Sequence, residues 1–177
     1  QKVTIVARGM AGGYTLALPS EDITLMSRKK LVSEMVSLLG GRAAEELVFD
    51  DITSGASNDI ERVTQLARNM VTRLGMSKEM GPMVYGQKEE LIFLGREISE
   101  QRDYSEQVAE QIDREVRKLV GESYDQARAL LKKYRAELDA VATRLLEVET
   151  LTRDEFEKIF PAPLPKASGT PLPQASA

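Results

Sequence analysis

SGASNDIERVTQLARNMVTRLG, Ser54 to Gly75, carries a clear helical pattern. Its apolar residues Ile60, Val63, Leu66, Ala67, Met70, Val71 and Leu74 recur at three- and four-residue steps, the period of one buried helix face. A strand would alternate residue by residue instead. Residues that cap helices crowd the entrance from Thr53 to Asp59, and Asn58 with Glu61 has the spacing of a capping box. Gly75 closes the run where helices commonly end in a left-handed glycine.

The same period governs most of the chain on either side. Towards the N-terminus, Ser27 is a natural N-cap for a helix carrying Leu31, Met35, Leu38, Leu39 and Leu47. Gly40 and Gly41 interrupt it, each at a cost of about 1 kcal/mol relative to alanine. Because Arg42-Ala43-Ala44-Glu45-Glu46-Leu47 resumes strong helix formers, a single helix over 28–48 is expected, with another backbone packed closely against the glycines. Towards the C-terminus, a long helix over 105–133 carries Val108, Ile112, Val116, Leu119, Tyr124, Ala127 and Leu131. A further helix contains Leu138, Val141, Leu145 and Leu146, and Thr152 with Glu155 forms a capping box before Phe156, Ile159 and Phe160.

Only the beginning reads differently. Over residues 1–19, Val3 and Ile5, then Tyr14, Leu16 and Leu18, alternate with smaller or polar residues as a half-buried strand does. The glycine-rich Arg8–Gly13 stretch between them suits a turn or bulge, and Pro19 stops the pairing. A further short strand is expected at 83–85 or 91–94. The expected fold is therefore mainly α, a helical bundle with a small N-terminal β element. From Pro161 onward the chain holds five of its seven prolines and no aromatic residue, the composition of a disordered tail. The division is thus 1–160, folded, and 161–177, tail.

Composition narrows the chemistry. With 24 Lys and Arg against 28 Asp and Glu and no basic block, the charge pattern argues against nucleic acid as a partner. No apolar run approaches the roughly 20 residues that span a bilayer, so any membrane anchor must lie outside this segment. The opening at Gln1, directly before the apolar Val3–Val6, reads as a chain cut from a longer polypeptide. Zero cysteines remove disulfides, thiolate metal sites and cysteine nucleophiles, and leave the redox compartment open. Zero histidines remove Ser-His-Asp chemistry and the commonest metal ligand, so any catalytic centre here is absent or incomplete.

Three carboxylates and one strand are candidates for function. Asp59 sits in the first turn of a helix, where free N–H groups and the dipole favour an ionised, oriented carboxylate such as a divalent ion takes as ligand; helix-start aspartates are also common without any metal. Glu45 and Glu46 are neighbours about 100° apart on a helix and cannot clamp one small site together, so ion pairing with Arg42 is the plainer expectation. Gly12-Gly13-Tyr14-Thr15 suits either an ordinary hairpin strand or an exposed edge offering its backbone to an extended peptide.

Taken together these runs are more specific than any one alone. Val3-Thr4-Ile5-Val6, Arg8-Gly9, Gly13-Tyr14-Thr15 and Leu18-Pro19-Ser20-Glu21-Asp22 resemble the strand region of the FtsH family. Leu38-Leu39-Gly40-Gly41-Arg42-Ala43-Ala44-Glu45-Glu46 resembles its glycine-containing helix, and Ser54-Gly55-Ala56-Ser57-Asn58-Asp59-Ile60 its loop-to-helix signature. Gly75-Met76-Ser77, Met80-Gly81-Pro82 and Phe93-Leu94-Gly95-Arg96 follow in the family's order, so the resemblance runs from residue 3 to about 160. Ala7, usually Pro in the family, and Gly12, usually a larger apolar residue, depart from it.

The resemblance implies membrane-anchored, homo-hexameric AAA+ proteases that degrade unfolded or membrane proteins on the cytoplasmic side. Zinc serves the protease domain, and ATP and magnesium serve an ATPase module outside this chain. Two histidines and a catalytic Glu of an H-E-x-x-H helix would lie upstream of Gln1. By the same resemblance Asp59 is the third zinc ligand, with Glu45 or Glu46 as rival, and Gly13, Tyr14 and Thr15 form the substrate-binding edge. A non-catalytic helical assembly module is the alternative; an H-E-x-x-H shortly upstream in the reading frame decides between them. Removing residues 161–177 is expected to leave the melting temperature unchanged within error, because the tail has too little apolar surface to offset its ordering entropy. Thermal unfolding of a chain ending at Phe160 checks this.

Overall fold

The computed structural model describes residues 2–6, 14–16, 25–86 and 104–160. These residues group into two compact units, one from the two ends of the chain and one from its middle, Ile23–Lys133.

The middle unit is a helical bundle. Its elements are α1 (Arg28–Leu38), α2 (Gly40–Phe49), a one-turn 3-10 helix (Ser54–Ala56), α3 (Ser57–Thr72) and α4 (Glu106–Lys133). Along α4 the stripe Ile112, Val116, Leu119, Ser123 and Ala127 is buried, and α1, α2 and α3 all pack against that helix. Met35, Ala43, Val63, Ala67, Met70 and Val71 have no exposed surface and fill the space between. The apolar face read from 60–74 is thus the core face, except at its ends: Ile60 and Leu74 are exposed. Ser27 caps α1 as expected, its side chain accepting from the Lys30 N–H at 3.3 Å.

Two local expectations are corrected. The helix over 28–48 is two helices, turning at the buried Leu39 (φ −78°, ψ −8°), which ends α1 and starts α2. Among the described residues nothing lies within 4 Å of a Cβ built on Gly40 or Gly41. The pair accordingly marks a break rather than a close neighbour. The physical reason is propensity: two successive glycines weaken a helix by about 2 kcal/mol relative to alanine, so the chain bends where its ladder is weakest. The second correction concerns the Asn58–Glu61 capping box, which does not form. The 3-10 turn runs straight into α3, moving the N-cap to Ala56, which has no side-chain cap bond. Capping happens one step earlier, where Thr53 Oγ1 accepts from the Gly55 N–H at 3.1 Å.

The other unit holds a three-stranded antiparallel sheet in the order β2-β1-β3, with β1 (Lys2–Thr4), β2 (Tyr14–Leu16) and β3 (Thr150–Thr152). Val3 faces Thr15 on one side and Leu151 on the other. The N-terminal β element is therefore present, but its central strand is completed by a segment from near the other end, which the periodicity did not announce. Thr4 fastens it: its Oγ1 lies 2.8 Å from Thr150 Oγ1 and 3.1 Å from the Glu149 carbonyl, and the Ile5 N–H donates to the same carbonyl. α5 (Arg135–Val148) ends at Glu149 in the left-handed region, and α6 (Arg153–Glu157) opens with the expected Thr152–Glu155 capping box. Leu145 of α5 is buried and Leu146 is exposed. Among the described residues 83–85 is not a strand. The alternative at 91–94 and the tail from 161 lie outside the described residues, as do Ala7 and Gly12.

Gly75 ends the α3 region with φ +57°, and a Cβ there would stand 2.9 Å from the Pro82 backbone. Gly81 has φ +72° with nothing within 4 Å among the described residues. Both substitutions to alanine incur the left-handed penalty, roughly 1–2 kcal/mol, but only Gly75→Ala also meets backbone. Urea unfolding is expected to show Gly75→Ala clearly less stable than Gly81→Ala.

Candidate functional site

Asp59 is the third residue of α3, in its first turn. The direction of that helix is set by Val63, Ala67, Met70 and Val71, all without exposed surface. At the N-terminal end Asp59 is half-buried, and its carboxylate has no hydrogen-bond or ion-pair partner among the described residues. An anionic group near the positive end of a helix, its oxygens unengaged among the described residues, can accept a cation.

The two rival carboxylates are engaged. Glu45, partly exposed on α2, accepts from the Thr53 hydroxyl at 2.7 Å through Oε1 and from the Thr53 N–H at 3.1 Å through Oε2. The hydroxyl bond first, then the backbone bond, holds its carboxyl below the ordinary range. Glu46, one residue on, faces α4: its Oε2 accepts from the Tyr124 phenol, and Arg128 stands 3.8 Å from its Oε1. The phenol bond is the main reason its carboxyl is also held low, with the charges of Arg128 and Arg42 adding to it. The ion pair expected with Arg42 is thus made to Glu46 by Arg128. Burial, followed by the bond to Glu46, pushes the Tyr124 phenol above its ordinary value. Beside this pair an open depression of about 450 Å³ is lined by Arg42, Glu46, Asp50, Asp51, Ile52 and Tyr124. It includes neither Glu45 nor Asp59.

Among the described residues no three acidic side chains converge as a metal-binding group. Asp59 can therefore supply one ligand of a site and not a whole one. Tyr14 and Thr15 lie in β2, which pairs with β1 and forms one edge of the sheet among the described residues; Gly13 lies outside them. Gly12 also lies outside the described residues. Asp59 belongs to the middle unit and β2 to the other.

The profile of Peptidase family M41 matches residues 1–159. The chain belongs to that family. It is 50% identical, over 99% of its length, to an ATP-dependent zinc metalloprotease FtsH 1 of Thermomicrobium roseum. It is 52% identical over 90% of its length to the FtsH protein of Thermotoga maritima, and 53% identical over 90% to that of Chloroflexus aggregans. These alignments cover 27%, 26% and 25% of the relatives, so the chain spans about a quarter of their length. Among the described residues no helix is long and apolar enough to cross a membrane.

Sequence reasoning placed Asp59 in a first helical turn, where it lies, but missed Thr53 as the partner of Glu45 and Tyr124 as the partner of Glu46. The engagement of Glu46 has a pH signature. A carboxyl held low in the fold contributes stability above its ordinary pKa of 4.5 and loses it as pH falls through the lowered value. Tyr124→Phe is expected to move the Glu46 titration back towards the ordinary range and leave Glu45 where it is. An NMR pH titration of the glutamate carboxyl carbons reads both.

Proposed function

We propose that this chain is the C-terminal part, over 1–160, of the peptidase domain of an ATP-dependent zinc metalloendopeptidase that degrades unfolded or membrane proteins. In this reading residues 161–177 are an appended tail. Asp59 is the third zinc ligand, Gly13, Tyr14 and Thr15 hold the substrate, and the helices are the scaffold. The chain has no histidine, so histidine ligands and the general base of an H-E-x-x-H motif come from outside it. The whole protein is a membrane-anchored homo-hexamer with this domain on the cytoplasmic side, and its AAA+ module uses ATP and magnesium.

One observation carries the assignment of Asp59. Of the three candidate carboxylates, Glu45 is spent on Thr53 and Glu46 on Tyr124 and Arg128, while that of Asp59 has no partner among the described residues. Its place in the first turn of α3 sets it beside the positive end of the helix dipole. Among the described residues β2 pairs on one side only; the backbone N–H and C=O groups of its other side would hold an extended peptide with little regard to its side chains. Zinc, when bound, polarises the scissile carbonyl and lowers the pKa of its water.

In the full-length enzyme Asp59→Asn keeps a residue that tolerates helix starts but removes the charge. It is expected to lower zinc affinity by more than about 100-fold, beyond what losing an outer-shell partner costs, and to lower proteolysis in parallel. ATPase activity persists. Glu46→Gln is expected to keep a full equivalent of zinc. Retention of zinc and cleavage by Asp59→Asn, with loss in Glu46→Gln, moves the ligand to α2. The isolated 177-residue chain is expected not to digest casein with or without added zinc, because it lacks the base and two ligands.

A further inference from the structure

The connection from α2 to α3 is held in an unusual way. Thr53, Ser54 and Gly55 are exposed, and only Ala56 of the 3-10 turn is buried. Burial therefore does little to fix residues 53–55. The N-cap of α3, Ala56, has no side chain able to cap. What fixes this entrance is a relay of three hydrogen bonds. Both oxygens of Glu45 accept from Thr53, at 2.7 Å from its hydroxyl and 3.1 Å from its N–H. The same hydroxyl oxygen then accepts from the Gly55 N–H at 3.1 Å. From Gly55 the 3-10 turn continues into α3 without a break, and Asp59 lies four residues further on.

We propose that Glu45, acting through Thr53, is a positioning residue for Asp59: the relay ties the entrance of α3 to the rigid body of α2 and so fixes where the Asp59 carboxylate stands. Glu45 does this as a hydrogen-bond acceptor, with both oxygens occupied, and not as a ligand. The inference rests on the reading of Asp59 as a metal ligand. Its physical basis is the tolerance of such sites, in which ligand atoms must be held to about half an ångström by their supporting shell. Burial fixes α3 from Val63 onward but fixes no residue between Ala56 and Val63. The terminal turn that carries Asp59 thus depends on the anchor at Thr53.

The test is zinc affinity, measured in the full-length enzyme by competition with a chromogenic chelator, on Asp59→Asn, Glu45→Ala, Thr53→Val, their Glu45/Thr53 double variant and Thr53→Ser. Glu45→Ala and Thr53→Val are each expected to weaken zinc binding by roughly 10-fold, the lower end of the outer-shell range. The double variant is expected to be no worse than the weaker single one, because the two act in series. Thr53→Ser keeps the hydroxyl and is expected to bind zinc within about threefold of the unaltered enzyme, a small part of an outer-shell loss. KM for a peptide substrate stays while kcat falls, since β2 is untouched.

Unaltered zinc affinity in both Glu45→Ala and Thr53→Val overturns the inference. So does zinc loss in Glu45→Ala with normal affinity in Thr53→Val, which makes Glu45 act directly. Full zinc affinity in Asp59→Asn overturns the underlying reading and this inference with it, so that arm separates the two failures. Should Glu45→Ala not fold, the contrast between Thr53→Val and Thr53→Ser decides alone: equal affinities overturn the inference.

Discussion

The packing of three helices onto the buried stripe of α4 is the interaction on which the middle unit depends. α1 has 11 residues and α2 has 10, below the roughly 12–15 at which even alanine-rich helices become marginal in water. Neither has a charged first turn or last turn that complements its dipole. Burial makes up the difference. Each fully buried Leu, Ile or Met side chain contributes about 1.5–3 kcal/mol, and Leu31, Met35, Met70, Ile112 and Leu119 are all buried in one cluster. The helices exist because α4 gives their apolar faces somewhere to go, and α3, whose first turn carries Asp59, is one of them.

What the sequence made legible follows from the range of the interaction involved. The Ser27 cap, the Thr152–Glu155 box and the left-handed Gly75 are settled within a few residues, so their pattern is visible in one pass. The break at Leu39 was half visible: two glycines admit either a close neighbour or a weak ladder, and only the surroundings choose. The Asn58–Glu61 box failed because a 3-10 turn runs straight into a helix that starts at Ser57, which puts Asn58 inside the helix rather than at its cap. β3 was invisible because a three-residue strand has almost no period, and its partner Thr4 is 146 residues away from Thr150.

The candidate site divides along the same line. The place of Asp59 in a first turn is local, and was readable. That its carboxylate has no partner among the described residues is not, because it depends on which groups the rest of the fold brings near. Tyr124 is 78 residues from Glu46, beyond any spacing rule. Thr53 is only eight residues from Glu45, yet the bond needs the chain to turn back at Asp50, a non-glycine residue at φ 52°. Adjacent carboxylates on one helix thus serve opposite neighbours, one a loop and the other a helix, as their angular separation requires.

α4 has one further consequence, for how the middle unit opens. At 28 residues and about 1.5 Å of rise per residue, it runs beneath α1, α2 and α3 in turn. None of these can leave without uncovering part of its stripe, so the amides around Ile112 to Leu119 should exchange with deuterium only when the whole unit unfolds. The exposed residues Thr53 to Gly55 belong to the opposite end of that scale. The slowest- and fastest-exchanging parts of the bundle then lie on the two sides of one candidate ligand, with α3 joining them.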